Sequence, residues 1–285
     1  MNKVGVVGCG LMGSGIAEVC ARAGAQVVVV ERDADALKAG QARVERSLSR
    51  GVASGKITEA DLEAAHAHLR FAESFDELAD RDLVVEAVLE EEGAKVQVFR
   101  HLDEVVTAED AVLATNTSSI PIIKLAMATH RPEQVIGMHF FNPVPVLKLV
   151  EVISSLLTSQ ETAERVRGFT TDRLGKRVIT SPDRAGFVVN ALLIPYLLSA
   201  IRMLESGFAS AEDIDTGMVI GCAHPMGPLA LTDLIGLDTT QAVAESLYEE
   251  FKEPHLAPPP LLLRMTQAGL LGRKSGQGFF SYKSS

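Results

Sequence analysis

Apolar residues change their spacing repeatedly along the first half of the chain. Residues 4–7 form a short, mostly apolar run that predicts a buried strand, and Ile16, Val19, Cys20 and Ala23 follow it at helical spacing. Residues 27–30 predict a second strand, and Leu37, Val44 and Leu48 mark one face of a long helix behind it. Strands over 83–88 and 111–114 flank a helix over 95–105. Strand alternating with helix predicts a parallel sheet wound by right-handed crossovers. The rhythm then changes. Runs at 135–140 and 147–153 are joined by little more than Asn-Pro-Val-Pro, too short for a crossover helix, so they predict an antiparallel hairpin.

Beyond Ser181-Pro182 the pattern is helical. Phe187, Ala191, Leu193, Leu197, Ala200 and Leu204 predict a long buried helix, with further helices over 211–222, 227–235, 239–251 and 260–269. Pro258, Pro259 and Pro260 read as a rigid connector. The change of pattern sets an expected boundary near residue 184, with an α/β domain over 1–184 and an all-helical domain over 185–285.

Composition narrows the function classes. The chain has 285 residues, of which 47% are hydrophobic and 22% charged, enough for a packed core. A formal net charge of −10 argues against nucleic-acid binding, which needs basic surface to displace counterions. Cys9, Cys20 and Cys222 form neither a metal-ligand pair nor a disulfide framework, so no metal is expected. The apolar start lacks a basic leader, and the longest apolar stretch, 191–201, is too short to span a bilayer. A cytoplasmic protein without a membrane partner is therefore expected.

Gly8-Cys9-Gly10-Leu11-Met12-Gly13 fits GxGxxG between a predicted strand and a predicted helix. Gly8 permits a tight turn, Gly10 lets backbone approach a diphosphate, and Gly13 lets helix and strand pack closely. The helix N-terminus offers N–H groups to the anion. Glu31 ends the next strand, about 20 residues on, where a carboxylate accepts from a ribose 2′-hydroxyl. These features predict a Rossmann-type dinucleotide site. Arg32 could serve a 2′-phosphate, but Glu31 would repel it, so NAD is expected over NADP.

The hairpin carries the candidate chemistry. Pairing centred on Pro145 sets His139 opposite Glu151, with Cβ atoms about 5 Å apart. A carboxylate so placed fixes the imidazole tautomer and stabilises the imidazolium formed on proton uptake. His66, His68, His101, His130 and His255 have no such partner in the pattern and read as ordinary core or surface histidines.

The run Met138-His139-Phe140-Phe141-Asn142-Pro143-Val144-Pro145, followed by Lys148-Leu149-Val150-Glu151, resembles the signature of the L-3-hydroxyacyl-CoA dehydrogenases, especially the bacterial 3-hydroxybutyryl-CoA enzymes. Asn116-Thr117-Ser118-Ser119, Gly186-Phe187-Val188-Val189-Asn190, His224-Pro225-Met226-Gly227-Pro228 and the closing Gly272-to-Phe280 stretch extend the likeness over residues 3 to 282. The resemblance implies NAD-dependent oxidation of a 3-hydroxyacyl-CoA, with His139 as base and Glu151 as its partner. It implies that Ser118 and Asn190 hydrogen-bond substrate oxygens. Glu90, Lys95, Asn142 and Lys274, with Ser118, resemble contacts to the nicotinamide half of NAD. It also implies a homodimer formed through the second domain. Ser47, Arg50 and Lys56 resemble a hold on the CoA phosphates, in a stretch that reads equally as a solvated basic helix face. From residues alone, Ser118 could be a loop cap and Asn190 a helix cap. A dehydrogenase of a hydroxy acid without CoA, and a non-catalytic NAD-binding protein, stay open as alternatives. Ala185, Cys222-Ala223 and Ser54 depart from the pattern, and Ser54 takes a place where relatives often carry a basic residue.

Overall fold

The computed structural model describes residues 1–282 and divides into two compact units, Met1–Arg184 and a second from Ala185 onward. The first unit is an eight-stranded sheet. Its strands are β1 (Lys3–Val7), β2 (Gln26–Val30), β3 (Leu69–Ala72), β4 (Leu83–Glu86), β5 (Val112–Thr115), β6 (Val135–Phe140), β7 (Leu149–Ser154) and β8 (Arg177–Pro182). They lie in the order β3-β2-β1-β4-β5-β6-β7-β8. Every neighbouring pair is parallel except β6 with β7.

The valine-rich strands β1, β2 and β4 are buried almost throughout, as expected of a sheet covered by helices. Helices α1 (Leu11–Arg22), α2 (Ala34–Ala53), α3 (Glu59–Ala67), α4 (Glu92–Val105), α5 (Ile122–Ala126) and α6 (Gln160–Gly168) complete the unit. Ile16, Val19 and Cys20 of α1, with Val44 and Leu48 of α2, pack into one cluster with Val4 and Val6 of β1 and Val27 and Val29 of β2. Each such buried side chain contributes about 1.5–3 kcal/mol of transfer free energy.

Several elements lie outside the sequence expectation. The helix α3, capped by a reciprocal Thr58–Asp61 box, precedes β3, and α5, α6 and β8 complete the later part of the unit. These segments are short or half-buried, so their apolar periodicity is weak. The expected strand over 83–88 ends at Glu86, and that over 147–153 starts at Leu149, because residues 141–148 form a longer connection than Asn-Pro-Val-Pro alone.

The second unit comprises α7 (Val189–Glu205), α8 (Ala211–Thr216), α9 (Pro228–Ile235), α10 (Leu237–Phe251) and α11 (Pro260–Gln267). Its separate core gathers Leu197, Leu198 and Ile201 of α7 with Leu229 of α9 and Leu247 of α10. The closing segment is latched by Asp233, which is 1% exposed and accepts from the Phe279 and Phe280 amides and the Tyr282 hydroxyl.

Candidate active site

The glycine turn joins β1 to α1. Gly8 has φ +88°, and a Cβ on it would stand 2.8 Å from the Ala87 carbonyl oxygen, so both backbone freedom and space demand glycine. A Cβ on Gly13 would stand 1.9 Å from the Gly8 carbonyl oxygen, while one on Gly10 would meet nothing within 4 Å. The turn is closed below and open above. No side chain caps α1, whose first residues are Leu11 and Met12. An open glycine surface beside an uncapped helix N-terminus fits a dinucleotide diphosphate. Glu31 Oε1 accepts from the Cys9 amide at 2.6 Å, which holds the carboxylate over the turn. Arg32 is exposed and paired with Asp33 at 3.0 Å, while Arg43 donates to the Cys9 carbonyl at 3.1 Å.

His139 stands directly opposite Glu151 in the β6–β7 register, because antiparallel pairing preserves the symmetry about the connection. Its Nδ1 lies 2.7 Å from Glu151 Oε2. The histidine is 7% exposed and the glutamate is fully buried. An imidazole donating Nδ1–H to this carboxylate carries its lone pair on Nε2, and the buried anion stabilises the charge created when Nε2 takes a proton.

The connection between these strands is pinned from two sides. A Cβ on Gly15 of α1 would come within 2.8 Å of Val144, so the helix and the connection touch. Lys176, buried ahead of β8, donates from Nζ to the Val144 and Leu147 carbonyls, both at 2.7 Å. Burial pulls its ammonium below the ordinary lysine range, with Cys20 and Glu18 opposing and Arg22 adding to the effect. Asn142 is exposed on this connection.

Ser118 lies on the turn after β5, the neighbour of β6. Asn116 of that turn accepts the Phe140 amide at 2.9 Å, so the turn meets the strand one residue past His139. Glu90 accepts from the Ser118 amide at 2.7 Å and its hydroxyl at 3.2 Å. Burial pushes the Glu90 carboxyl up, but Lys95 and the hydrogen bonds from Thr117 and Ser118 outweigh it and hold the group below the usual carboxylate range. Lys95 is 1% exposed and paired with Glu86 and Glu90.

The remaining candidates are more dispersed. Ser47 is half-buried on α2, Arg50 is exposed and hydrogen-bonded to the Arg46 carbonyl, and Lys56 is exposed beyond the helix. In the second unit Asn190 is half-buried in the first turn of α7, whose N-cap residue is Val188. Lys274 pairs with both oxygens of Asp238 at 2.5 Å. Sequence reasoning passed over Glu86 and Lys176. Glu86 carried a signal, a lone charge in an apolar strand run, whereas Lys176 sits in an unpatterned polar stretch.

Among the described residues, no group of three or more His, Cys, Asp or Glu side chains could hold a metal, and no helix is long and apolar enough to cross a membrane. The three cysteines are free.

Residues 3–184 match the family model "3-hydroxyacyl-CoA dehydrogenase, NAD binding domain", and residues 186–282 match its "C-terminal domain". The chain is 56% identical over 282 residues to a 3-hydroxybutyryl-CoA dehydrogenase of Mycobacterium tuberculosis, covering 99% of each. It is 43% identical over 292 residues to the human mitochondrial hydroxyacyl-coenzyme A dehydrogenase, covering 99% of this chain and 92% of that one. The crystal structure of an (S)-3-hydroxybutyryl-CoA dehydrogenase from Ralstonia eutropha superimposes with a TM-score of 0.95 at 46% identity, covering 100% of both chains.

Proposed function

Because the chain belongs to the 3-hydroxyacyl-CoA dehydrogenase family, we propose that it oxidises the 3-hydroxyl of a short (S)-3-hydroxyacyl-CoA, 3-hydroxybutyryl-CoA first among them, to the 3-ketoacyl-CoA. The names of its relatives support this substrate. The observation that carries the reading is the buried His139–Glu151 pair at 2.7 Å, a base with a fixed tautomer at the end of the sheet that also bears the glycine turn.

NAD, when bound, supplies the hydride acceptor. The chain's own residues bind, orient and move the proton. The Gly10, Leu11 and Met12 backbone would hold the diphosphate, with Gly8 and Gly13 shaping the turn, and Glu31 would accept from the adenosine ribose. His139 takes the hydroxyl proton at Nε2, and Glu151 holds the ring and stabilises its charge. Ser118 and Asn190 orient the substrate oxygens. Asn142 and Lys274 serve the nicotinamide half, as does Glu90, with the buried Lys95 acting through it. Ser47 hydrogen-bonds the CoA phosphates, and Arg50 and Lys56 hold them by charge. These roles rest on the family resemblance.

The functional unit is a homodimer in the cytoplasm, working in fatty acid or butanoate metabolism, and it binds no nucleic acid. Leu192 on α7, Phe208 and Ile220 are 74%, 79% and 79% exposed in the second unit, which supports a protein partner there. The free cysteines suit a reducing compartment.

The test is consumption of NADH with acetoacetyl-CoA, set beside free acetoacetate and a sugar acid. Turnover only with the thioester is expected. Equal or faster turnover of an acid without CoA overturns the substrate reading, and absence of turnover with all three overturns the enzymatic one.

A further inference from the structure

Glu86 ends β4 in a run of valines and is fully buried, yet no step above uses it. Its Oε1 accepts from Lys95 Nζ at 2.6 Å and from the Val88 amide at 2.7 Å, and its Oε2 accepts from the Thr115 hydroxyl at 2.7 Å. The side chains of this ion pair are 0% and 1% exposed. For stability alone, a well-packed apolar pair serves as well as a buried ion pair, because two charges must be desolvated. The pair therefore calls for another reason.

The second partner of Lys95 supplies one. Lys95 Nζ stands 3.3 Å from Glu90 Oε2. The opposite oxygen of Glu90 gathers the turn after β5. It accepts the Thr117 hydroxyl at 2.6 Å, the Ser118 amide at 2.7 Å and the Ser119 amide at 3.2 Å, besides the Ser118 hydroxyl. The Glu90 side chain is 35% exposed and sits on a loop, so nothing in its own element holds it. Glu86, by contrast, is fixed on a central strand. Charge and hydrogen bonds run unbroken from that strand to the turn that reaches β6 beside His139.

We propose that Glu86 is a positioning residue, anchoring Lys95 against Glu90 so that Glu90 holds the backbone and hydroxyl of Ser118 in place on the turn whose Asn116 meets β6 one residue past His139. This deepens the dehydrogenase reading and rests on it for its catalytic meaning.

Three measurements on this chain test it. The first needs no substrate: amide hydrogen exchange at Ser118 and Ser119. Glu86→Gln removes the anchoring charge and is expected to speed exchange there about tenfold, with strands β1 and β2 unaffected. The second is a double-mutant cycle read by kcat with acetoacetyl-CoA and NADH. Glu86→Gln is expected to lower kcat by up to about a hundredfold, as a small displacement of a positioned group does. In a Ser118→Ala background the same change should lower kcat by less than about twofold, because the two residues act as a unit. Lys95→Met adds a pH readout. With the cation gone, the Glu90 carboxyl loses a charge that holds it down and rises relative to the wild type, and the acid-side loss of kcat moves to higher pH. If Glu86→Gln does not fold, Glu86→Asp, which keeps the charge but shortens its reach to Lys95, takes its place in the exchange and kcat measurements.

Unchanged exchange at Ser118 and Ser119 overturns the positioning role, as does an equal loss of kcat with and without the Ser118 hydroxyl, or an unmoved acid limb. If wild-type protein fails to turn over acetoacetyl-CoA while the exchange result holds, the dehydrogenase reading falls and the anchoring survives as a structural fact. An active wild type with unchanged exchange gives the reverse.

Discussion

His139 and Glu151 show how one residue pair concentrates the chemistry. The glutamate is fully buried and accepts from an imidazole nitrogen at 2.7 Å, so it can neither rotate away nor shed charge to water cheaply. Asparagine in place of the histidine keeps a donor for Glu151 but cannot take a proton. His139→Asn is therefore expected to lower kcat by about 10²–10⁴ with NADH affinity retained, measured by steady-state kinetics and NADH fluorescence titration. Glu151→Gln should also lower kcat, since a neutral amide stabilises the imidazolium less. Near-wild-type turnover in His139→Asn would remove the base from this position.

At the scale of elements, function depends on how closely backbones approach. The first turn of α1 rests on the glycine turn, and the contact at Gly13 involves backbone that cannot move aside. Gly13→Ala is expected to destabilise the protein by about 1–3 kcal/mol, the usual cost of overpacking, and to weaken NADH binding at the same time. Thermal unfolding and an NADH titration check both, and loss of stability without loss of binding would separate the turn from the cofactor. Arg50 on α2 and Lys56 just beyond it are exposed, and exposed charge contacts are worth only about 0.2–1 kcal/mol each. Arg50→Ala with Lys56→Ala should thus raise KM for acetoacetyl-CoA several-fold while leaving kcat nearly unchanged, because contacts remote from the reacting carbon bind ground and transition states alike. A shortened thioester lacking the nucleotide should not register the change. Equal losses on both substrates, or none, would leave this stretch a solvated helix face.

For the whole molecule, each of the two units has its own core, and the second leaves large apolar side chains in water. Sedimentation velocity is expected to find a dimer at micromolar concentration, and Leu192→Glu with Phe208→Glu should shift it toward monomer. A wild-type monomer would remove the proposed assembly. The division of labour between sequence and tertiary structure follows from the range of the interactions involved. Residues 4–30 were legible because a buried strand, a glycine turn and an amphipathic helix each leave a local, periodic imprint, and β1, α1 and β2 formed accordingly. The His139–Glu151 register was legible too, since antiparallel pairing about a short connection is a symmetry that can be read along the chain. The helices α3, α5 and α6 and the strands β3 and β8 were not, because segments of four to nine residues are too short to show a clear apolar period and become ordered through neighbours distant in sequence. Nor was the anchoring of Ser118. Thr115, Glu86, Lys95 and Glu90 come from two strands, a helix and a loop, and Lys274 meets Asp238 across 36 positions. Local sequence decides which backbone states and faces are favourable, but which charges share a buried volume is decided only when the elements pack, because a desolvated charge must then find its counterpart wherever the fold has brought one.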